Sequence, residues 1–250
     1  MFEREFSIPY YGLDGDGRIK PETLLQFFQE AAGLHANSAK IGVADLLKQD
    51  MTWVLRRYRV NIKSLPGKGD LTVRTWFEPR RNLFSVRAFE VVTQSGDPIA
   101  DAWSAWIVVD LRRGRPIRLD RALPDTYFAM TEPTGEPVTD EITPISEGFD
   151  FESTFQVRRR ELDLNGHANH TVYFDWAMEN IPDYAIDGFS LVRLDAEFIS
   201  SVKRERVRVR TKKTRDHPRS FNHEITAENG IPAARVATLF DLSRPLLAMN

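Results

Sequence analysis

The chain has 250 residues, 42% of them hydrophobic, and a formal net charge of −2 at pH 7. This length allows one large domain or two of ordinary size, and the near-neutral charge argues against a dedicated nucleic-acid-binding protein. The sequence has no cysteine, which excludes disulfides, thiolate metal sites and a cysteine nucleophile. We expect a cytoplasmic protein without a membrane span, because no apolar run approaches roughly 20 residues and the first residues lack a signal-peptide pattern.

The first half of the chain predicts a strand, a polar loop, a long helix and then several strands. The first strand is predicted over residues 1–8, and Pro21 suits the first position of a helix that runs to about Lys40. One face of this helix carries Leu24, Phe28 and His35. The further predicted elements are a helix over 44–49 and strands over 52–62, 71–77, 85–93 and 100–111.

The second half repeats the pattern of the first. The matched positions are Asp14 with Asp163 and Gly17 with Gly166 at an offset of 149, residues 73–75 with 209–211 at an offset of 136, and Gly96 with Gly230 at an offset of 134. Successive matches in order indicate two copies of one unit. Each copy predicts an α+β architecture, a long helix wrapped by an antiparallel sheet. We predict an N-terminal domain over 1–115, a proline-rich extended linker over 116–148 with one helical turn near Tyr127, and a C-terminal domain over 149–250.

A polar loop precedes the predicted helix of the second copy, with Asp163, Asn165 and His167 at alternate positions. The start of a helix offers free backbone N–H groups that suit an oxygen gaining charge during acyl transfer. The first copy has Asp16 and Arg18 in place of Asn165 and His167. Imidazole titrates near neutral pH and guanidinium does not, so this difference favours a reactive site in the second copy. An ordinary structural loop is the alternative, since Asp and Asn commonly form turns and helix caps.

Residues 162–170, Leu-Asp-Leu-Asn-Gly-His-Ala-Asn-His, followed by Tyr173 and Trp176, resemble the acyl-ACP thioesterases, whose pattern here is Asp-x-Asn-x-His-Val-Asn-Asn. Segments 51–57 and 102–106 of the first half agree as well, so the resemblance covers nearly the whole chain. It implies two tandem hotdog domains. It also implies an enzyme of fatty acid biosynthesis that hydrolyses the thioester of fatty acyl-acyl carrier protein and releases free fatty acid.

The resemblance assigns the catalytic loop to Asp163, Asn165 and His167. On the next strand the family has Glu-Cys, whereas this chain has Ser201 followed by Val202. A cysteine nucleophile is therefore impossible, and Glu197 or Glu205 would have to replace the second carboxylate of the family.

We expect His167 to activate a water molecule, and Asp163 either to hold His167 or to act as the base itself. Asn165 and backbone N–H groups are expected to stabilise the oxyanion. Ser201 is expected to position the water by a hydrogen bond.

The implied partner is acyl carrier protein, which presents the acyl group on phosphopantetheine. This carrier is acidic, so basic docking residues are expected, with candidates at 158–160, 203–206 and 56–57. A solvated basic face is the alternative, because 36 acidic residues balance 34 basic ones. We expect no cofactor, no metal and no nucleic acid, and either a monomer or a homodimer. The competing functions are an acyl-CoA thioesterase and, because Ser201 replaces the family Glu, a non-catalytic acyl-binding hotdog protein.

Overall fold

The computed structural model describes residues 1–78, 82–129, 141–215 and 217–242. The chain divides into two compact units with the boundary after residue 138. Each unit has its own long helix and its own antiparallel strands. Residues 130–140 of the predicted linker and residues 243–250 of the predicted C-terminal domain lie outside the described residues.

The first unit surrounds helix α1 with antiparallel strands. Its elements are β1 (Phe2–Ser7), α1 (Pro21–Ser38), α2 (Val43–Leu47), β2 (Met51–Ile62), β3 (Asp70–Glu78), β4 (Ser85–Thr93), β5 (Pro98–Asp110) and β6 (Arg115–Ile117). The strands of this unit are ordered β1-β3-β4-β5-β2, and β6 pairs with β5. These elements lie close to their predicted ranges, except for β6, which was not predicted and overlaps the start of the predicted linker.

Helix α1 buries an apolar face against this sheet, as its sequence pattern predicts. Leu24 and Phe28 are 0% exposed, and burying a side chain of this size contributes about 1.5–3 kcal/mol. The buried face ends at His35, which is also enclosed. The helix stops at Ser38, slightly before the predicted end, and Lys40 then adopts a left-handed backbone with a φ of 56° that no helix continues through.

The beginning of the predicted linker differs from an extended connection. It forms two short helices, α3 (Leu119–Ala122) and α4 (Asp125–Phe128). Helix α4 confirms the predicted helical turn near Tyr127, whereas α3 was not predicted. Leu119, Leu123 and Tyr127 are buried in one core cluster with residues of α2, β2, β3 and β5. The segment over 119–128 is therefore part of the core of the first unit, because its apolar side chains have a surface to pack on.

The second unit repeats the topology of the first. Its elements are β7 (Phe151–Gln156), α5 (His170–Glu179), α6 (Asp183–Ile186), β8 (Phe189–Phe198), β9 (Arg206–Lys213), β10 (Ser220–Ala227) and β11 (Pro232–Leu242). The strand order β7-β9-β10-β11-β8 matches that of the first unit strand for strand. In β9, Val207 and Val209 are buried while Arg206 and Arg208 are exposed, which confirms the predicted alternation. The repeat inferred from the sequence is therefore confirmed by the matching strand order of the two units.

Candidate active site

The loop between β7 and α5 is closed by the carboxylate of Asp163. Its Oδ1 accepts hydrogen bonds from the backbone N–H of Asn165 at 2.8 Å and of His167 at 3.1 Å. The backbone N–H of Asp163 donates to the His167 carbonyl at 2.7 Å. Gly166 has a φ of 72°, a conformation that favours glycine. The carboxylate therefore sets the shape of the loop.

The first unit contains the same loop, hydrogen bond for hydrogen bond. Asp14 Oδ1 accepts from the backbone N–H of Asp16 at 3.0 Å and of Arg18 at 2.9 Å. The backbone N–H of Asp14 donates to the Arg18 carbonyl at 2.8 Å, and Gly17 has a φ of 74°. The loop-forming role of the aspartate is consequently common to both units. What distinguishes the second loop is the pair of side chains at positions 165 and 167.

The side chains of Asn165 and His167 are left available by this arrangement. Asp163 bonds the backbone of His167, so the predicted hold on the imidazole by Asp163 is not what the structure shows. Within the described ranges, neither the His167 ring nor the Asn165 amide has a hydrogen-bond partner. Asn165 is exposed and His167 is half-buried. Both groups are accessible to a bound molecule.

Ser201 lies in a turn that is attached to this loop. The backbone N–H of Ala168 donates to the Val202 carbonyl at 2.8 Å, which places residues 200–205 beside residues 162–168. Ser201 is exposed and precedes Val202 directly. The structure therefore brings all four predicted site residues to the same end of the second unit.

Helix α5 follows the loop with a capped N-terminus. It begins at His170, because Asn169 is the N-cap and its side chain accepts from the Thr171 N–H at 3.1 Å. Burial lowers the pKa of His170 to about 4. This histidine is therefore neutral at physiological pH and belongs to the helix packing, with its ring 6.2 Å from that of Phe198.

Two further residues lie beside the loop: Tyr173, to which no role was assigned, and Glu205, which was named as one possible replacement for the second carboxylate of the family. Tyr173 is 3% exposed. Burial raises the pKa of Tyr173 to about 12. The charges of Asp163 and Glu205 also raise this pKa, whereas a hydrogen bond with the Val202 backbone lowers it. Of the two alternative carboxylates, Glu197 is bound by Arg235 Nη1 at 3.3 Å on the sheet. Glu205 is the one at the loop.

The first unit also contains a buried polar cluster around Arg87, which is 4% exposed. Arg87 Nη1 donates to Thr75 Oγ1 at 3.0 Å and to His35 Nδ1 at 3.2 Å, and the guanidinium lies 3.9 Å from the centre of the Phe77 ring. Burial lowers the pKa of Arg87 to about 9. Burial and the Arg87 charge lower the pKa of His35 to about 3. His35 is thus a neutral acceptor.

A comparable cluster lies in the core of the second unit. His223 is 1% exposed and is hydrogen-bonded through Nδ1 to Thr211 Oγ1 at 2.8 Å and through Nε2 to Thr238 Oγ1 at 3.0 Å. Asn180 at the end of α5 donates to the same Thr211 hydroxyl at 2.6 Å. Burial lowers the pKa of His223 to about 3. These hydrogen bonds connect the end of α5 to strands β9, β10 and β11, so the cluster has a structural role.

The described residues hold no group of three or more His, Asp or Glu side chains arranged to bind a metal ion. No helix within the same residues is long and apolar enough to cross a membrane.

Two consecutive units, each with a helix packed on antiparallel strands in the same order, define a double-hotdog protein with a distinctive loop in its second unit. The family model for the acyl-ACP thioesterase N-terminal domain matches residues 1–127, and that for the acyl-ACP thioesterase C-terminal domain matches residues 146–242. The chain belongs to the acyl-ACP thioesterase family.

Known relatives agree with this assignment. The chain is 24% identical over 225 residues to acyl-[acyl-carrier-protein] hydrolase FATB2, chloroplastic, of Cuphea viscosissima, covering 83% of this chain and 53% of the relative. It therefore spans about half the length of that curated relative. Among solved structures, an acyl-ACP thioesterase from Bacteroides thetaiotaomicron has a TM-score of 0.85 at 22% identity, covering 96% of this chain and 97% of the other. The 12:0-ACP thioesterase from Umbellularia californica has a TM-score of 0.85 at 21% identity, covering 97% of both chains. These structural similarities establish the fold.

The matched loops give a test of what each aspartate does. We expect Asp163→Ala and Asp14→Ala each to lower the free energy of unfolding by about 1–2 kcal/mol, because each leaves two backbone N–H groups without their acceptor. Asn at either position should restore most of this stability, since its Oδ1 also accepts. Chemical denaturation measures both effects. A destabilisation confined to one of the two units would contradict the equivalence of the loops.

Proposed function

We propose that the protein hydrolyses the thioester of fatty acyl-acyl carrier protein and releases free fatty acid. The observation that carries this proposal is the difference between two otherwise matched loops. Only the second loop presents an imidazole and a carboxamide without partners within the described residues, at His167 and Asn165. Membership of the acyl-ACP thioesterase family supports the substrate class.

The chemistry follows from the groups at this end of the second unit. His167 takes a proton from a water molecule whose oxygen forms a bond to the thioester carbonyl carbon. Asn165 and N–H groups at the start of α5 stabilise the oxyanion that develops. When this intermediate collapses, the C–S bond breaks and His167 returns the proton to the sulfur. Ser201 donates a hydrogen bond to the water oxygen, and Asp163 contributes by fixing the loop.

Exposed cations around the loop support a carrier protein as the bearer of the acyl group. Arg159 and Arg160 precede the loop, and Lys203 and Arg204 follow it in the adjacent turn. All four are exposed, and none has an acidic partner within the described residues. Unpaired cations at a surface attract an acidic partner and speed its association.

The deciding experiment measures thiol release from acyl-ACP and acyl-CoA thioesters with the same acyl chain. We expect kcat/KM to be at least about tenfold higher for the carrier protein, because steering by surface charge raises association rates by roughly 10–10³. Replacing Arg159 and Arg160 together by Ala should remove this preference and leave hydrolysis of acyl-CoA unchanged. Equal rates on both carriers would instead indicate an acyl-CoA thioesterase. Binding of the acyl chain without any thiol release would indicate a non-catalytic acyl-binding protein.

A further inference from the structure

We infer that Glu205 is a catalytic residue of this site and holds the attacking water molecule, an assignment that rests on the proposed hydrolysis. Glu205 lies in the turn beside the loop, between β8 and β9. Its role becomes visible when the two units are compared by their hydrogen bonds instead of by sequence alone.

Backbone hydrogen bonds align the turn at 200–205 with a turn of the first unit. The Val157 N–H donates to the Glu205 carbonyl at 3.0 Å, and the Ile8 N–H donates to the Gly69 carbonyl at 2.9 Å. The bond from Ala168 to Val202 likewise has a counterpart in the first unit, from the Ile19 N–H to the Pro66 carbonyl at 2.8 Å. Residue 205 therefore occupies the position of residue 69.

The first unit shows that the turn forms without a side chain at this position. Gly69 makes the matching hydrogen bond with no side chain at all, so the carboxylate of Glu205 is not required by the fold. The phenol of Tyr173 is not required by the fold either. At the offset of 149, its counterpart in the first unit is Leu24, which is 0% exposed. A buried hydroxyl costs free energy unless it is satisfied. The second unit thus carries a carboxylate and a phenol that the first unit lacks, at the place where the two loops differ.

The geometry leaves one oxygen of Glu205 available. Its Oε1 accepts from the Lys203 N–H at 3.3 Å, while Oε2 has no partner within the described residues. Glu205 is half-buried, so its carboxylate lies close to the protein surface and is still accessible to a water molecule. Asp163, in contrast, has its Oδ1 engaged by two N–H groups. The charges of both carboxylates raise the pKa of the same buried Tyr173, and the hydrogen bond from the Ala168 N–H to the Val202 carbonyl holds the turn of Glu205 beside the loop.

This arrangement suits a water molecule held from two directions. Glu205 Oε2 accepts one O–H of the water and His167 accepts the other proton as the oxygen bonds to the carbonyl carbon. The proton on His167 then leaves with the sulfur, and the proton held by Glu205 stays on the new carboxyl group. The products are one carboxylic acid and one thiol, so Glu205 ends the cycle unchanged.

The experiment compares Glu205→Gly with wild type in thiol release from the preferred thioester. Glycine is chosen because Gly69 shows that the turn tolerates it. We expect kcat to fall by about 10²-fold, the lower end of the range for acid–base assistance, with KM within about threefold of wild type. Added formate, which fits the space of the missing carboxylate, should raise the rate of Glu205→Gly several-fold relative to the same concentration of chloride. Glu228→Gln, at an exposed glutamate paired with Arg206 at 2.7 Å, is the control and should keep wild-type activity.

The possible outcomes separate this inference from the proposed function. Wild-type activity in Glu205→Gly would overturn the assignment of Glu205 and leave the thioesterase proposal standing. A loss of rate that formate does not relieve, together with full activity in Glu205→Gln, would reduce Glu205 to a structural residue and also overturn it. A wild-type protein that releases no thiol from any thioester would overturn both proposals together.

Discussion

Replacing His167 by Ala should lower kcat/KM for thioester hydrolysis by at least about 10²-fold, since a positioned acid–base group contributes roughly 10²–10⁴-fold. The fold should survive this change. The loop is held by the backbone N–H of His167 and not by its ring. Thiol release from acyl-ACP measures the first effect, and thermal unfolding measures the second.

Arg18→Ala provides the matched control, because Arg18 occupies the same position in the loop of the first unit. It should leave thiol release at the wild-type rate. If His167→Ala were only to lower stability and specific activity stayed unchanged, His167 would be a structural residue. If both substitutions reduced hydrolysis equally, the chemistry could not be ascribed to the second loop.

The second large effect is a loss of stability in mild acid. Burial lowers the pKa of His35 and of His223 to about 3 and that of His170 to about 4, all below the value of 6.5 for an exposed histidine. The unfolded chain therefore binds protons below pH 6.5 that the folded protein does not bind. Stability is fully present above this pH and falls as the pH drops towards 4, by about 1.4 kcal/mol per pH unit for each such histidine.

Urea unfolding at several pH values between 7.5 and 4.5 measures this loss. His223→Gln removes one of the three groups while keeping a polar side chain between the two threonine hydroxyls, so it should reduce the steepness of the fall by about a third. The fall in the free energy of unfolding of this variant is measured relative to its own value at neutral pH. A free energy of unfolding that stays constant between pH 6.5 and 5 would show that these histidines titrate in the folded protein.

The strands and the long helices could be predicted because the spacing of their apolar residues along the sequence shows which structure they form. Val207 and Val209 alternate with arginines in β9, and Leu24 and Phe28 recur at helical spacing in α1. In the segment over 119–128 only the helical turn near Tyr127 could be predicted, because the prolines of the linker suggest an extended chain. Whether its few apolar residues are buried depends on a surface formed by distant strands.

The part of the candidate site that is continuous in sequence could be predicted. The part that comes from a distant turn packed against the loop could not. Asp163, Asn165 and His167 lie within five residues of one another and differ visibly from the first copy. Glu205 could only be named as an alternative, because nothing in the sequence shows that the turn at 200–205 lies beside the loop. The hydrogen bond from the Ala168 N–H to the Val202 carbonyl establishes this contact.

The paired loops also bear on how such a protein changes over time. In a symmetric dimer of identical chains, every substitution appears in both subunits, so a residue gained for chemistry is imposed on the partner as well. Joining the copies in one gene removes that coupling. Position 18 can carry arginine while position 167 carries histidine, and position 69 can stay glycine while position 205 gains an acid. Fusion thus lets the two halves carry different side chains at matched positions of the same scaffold.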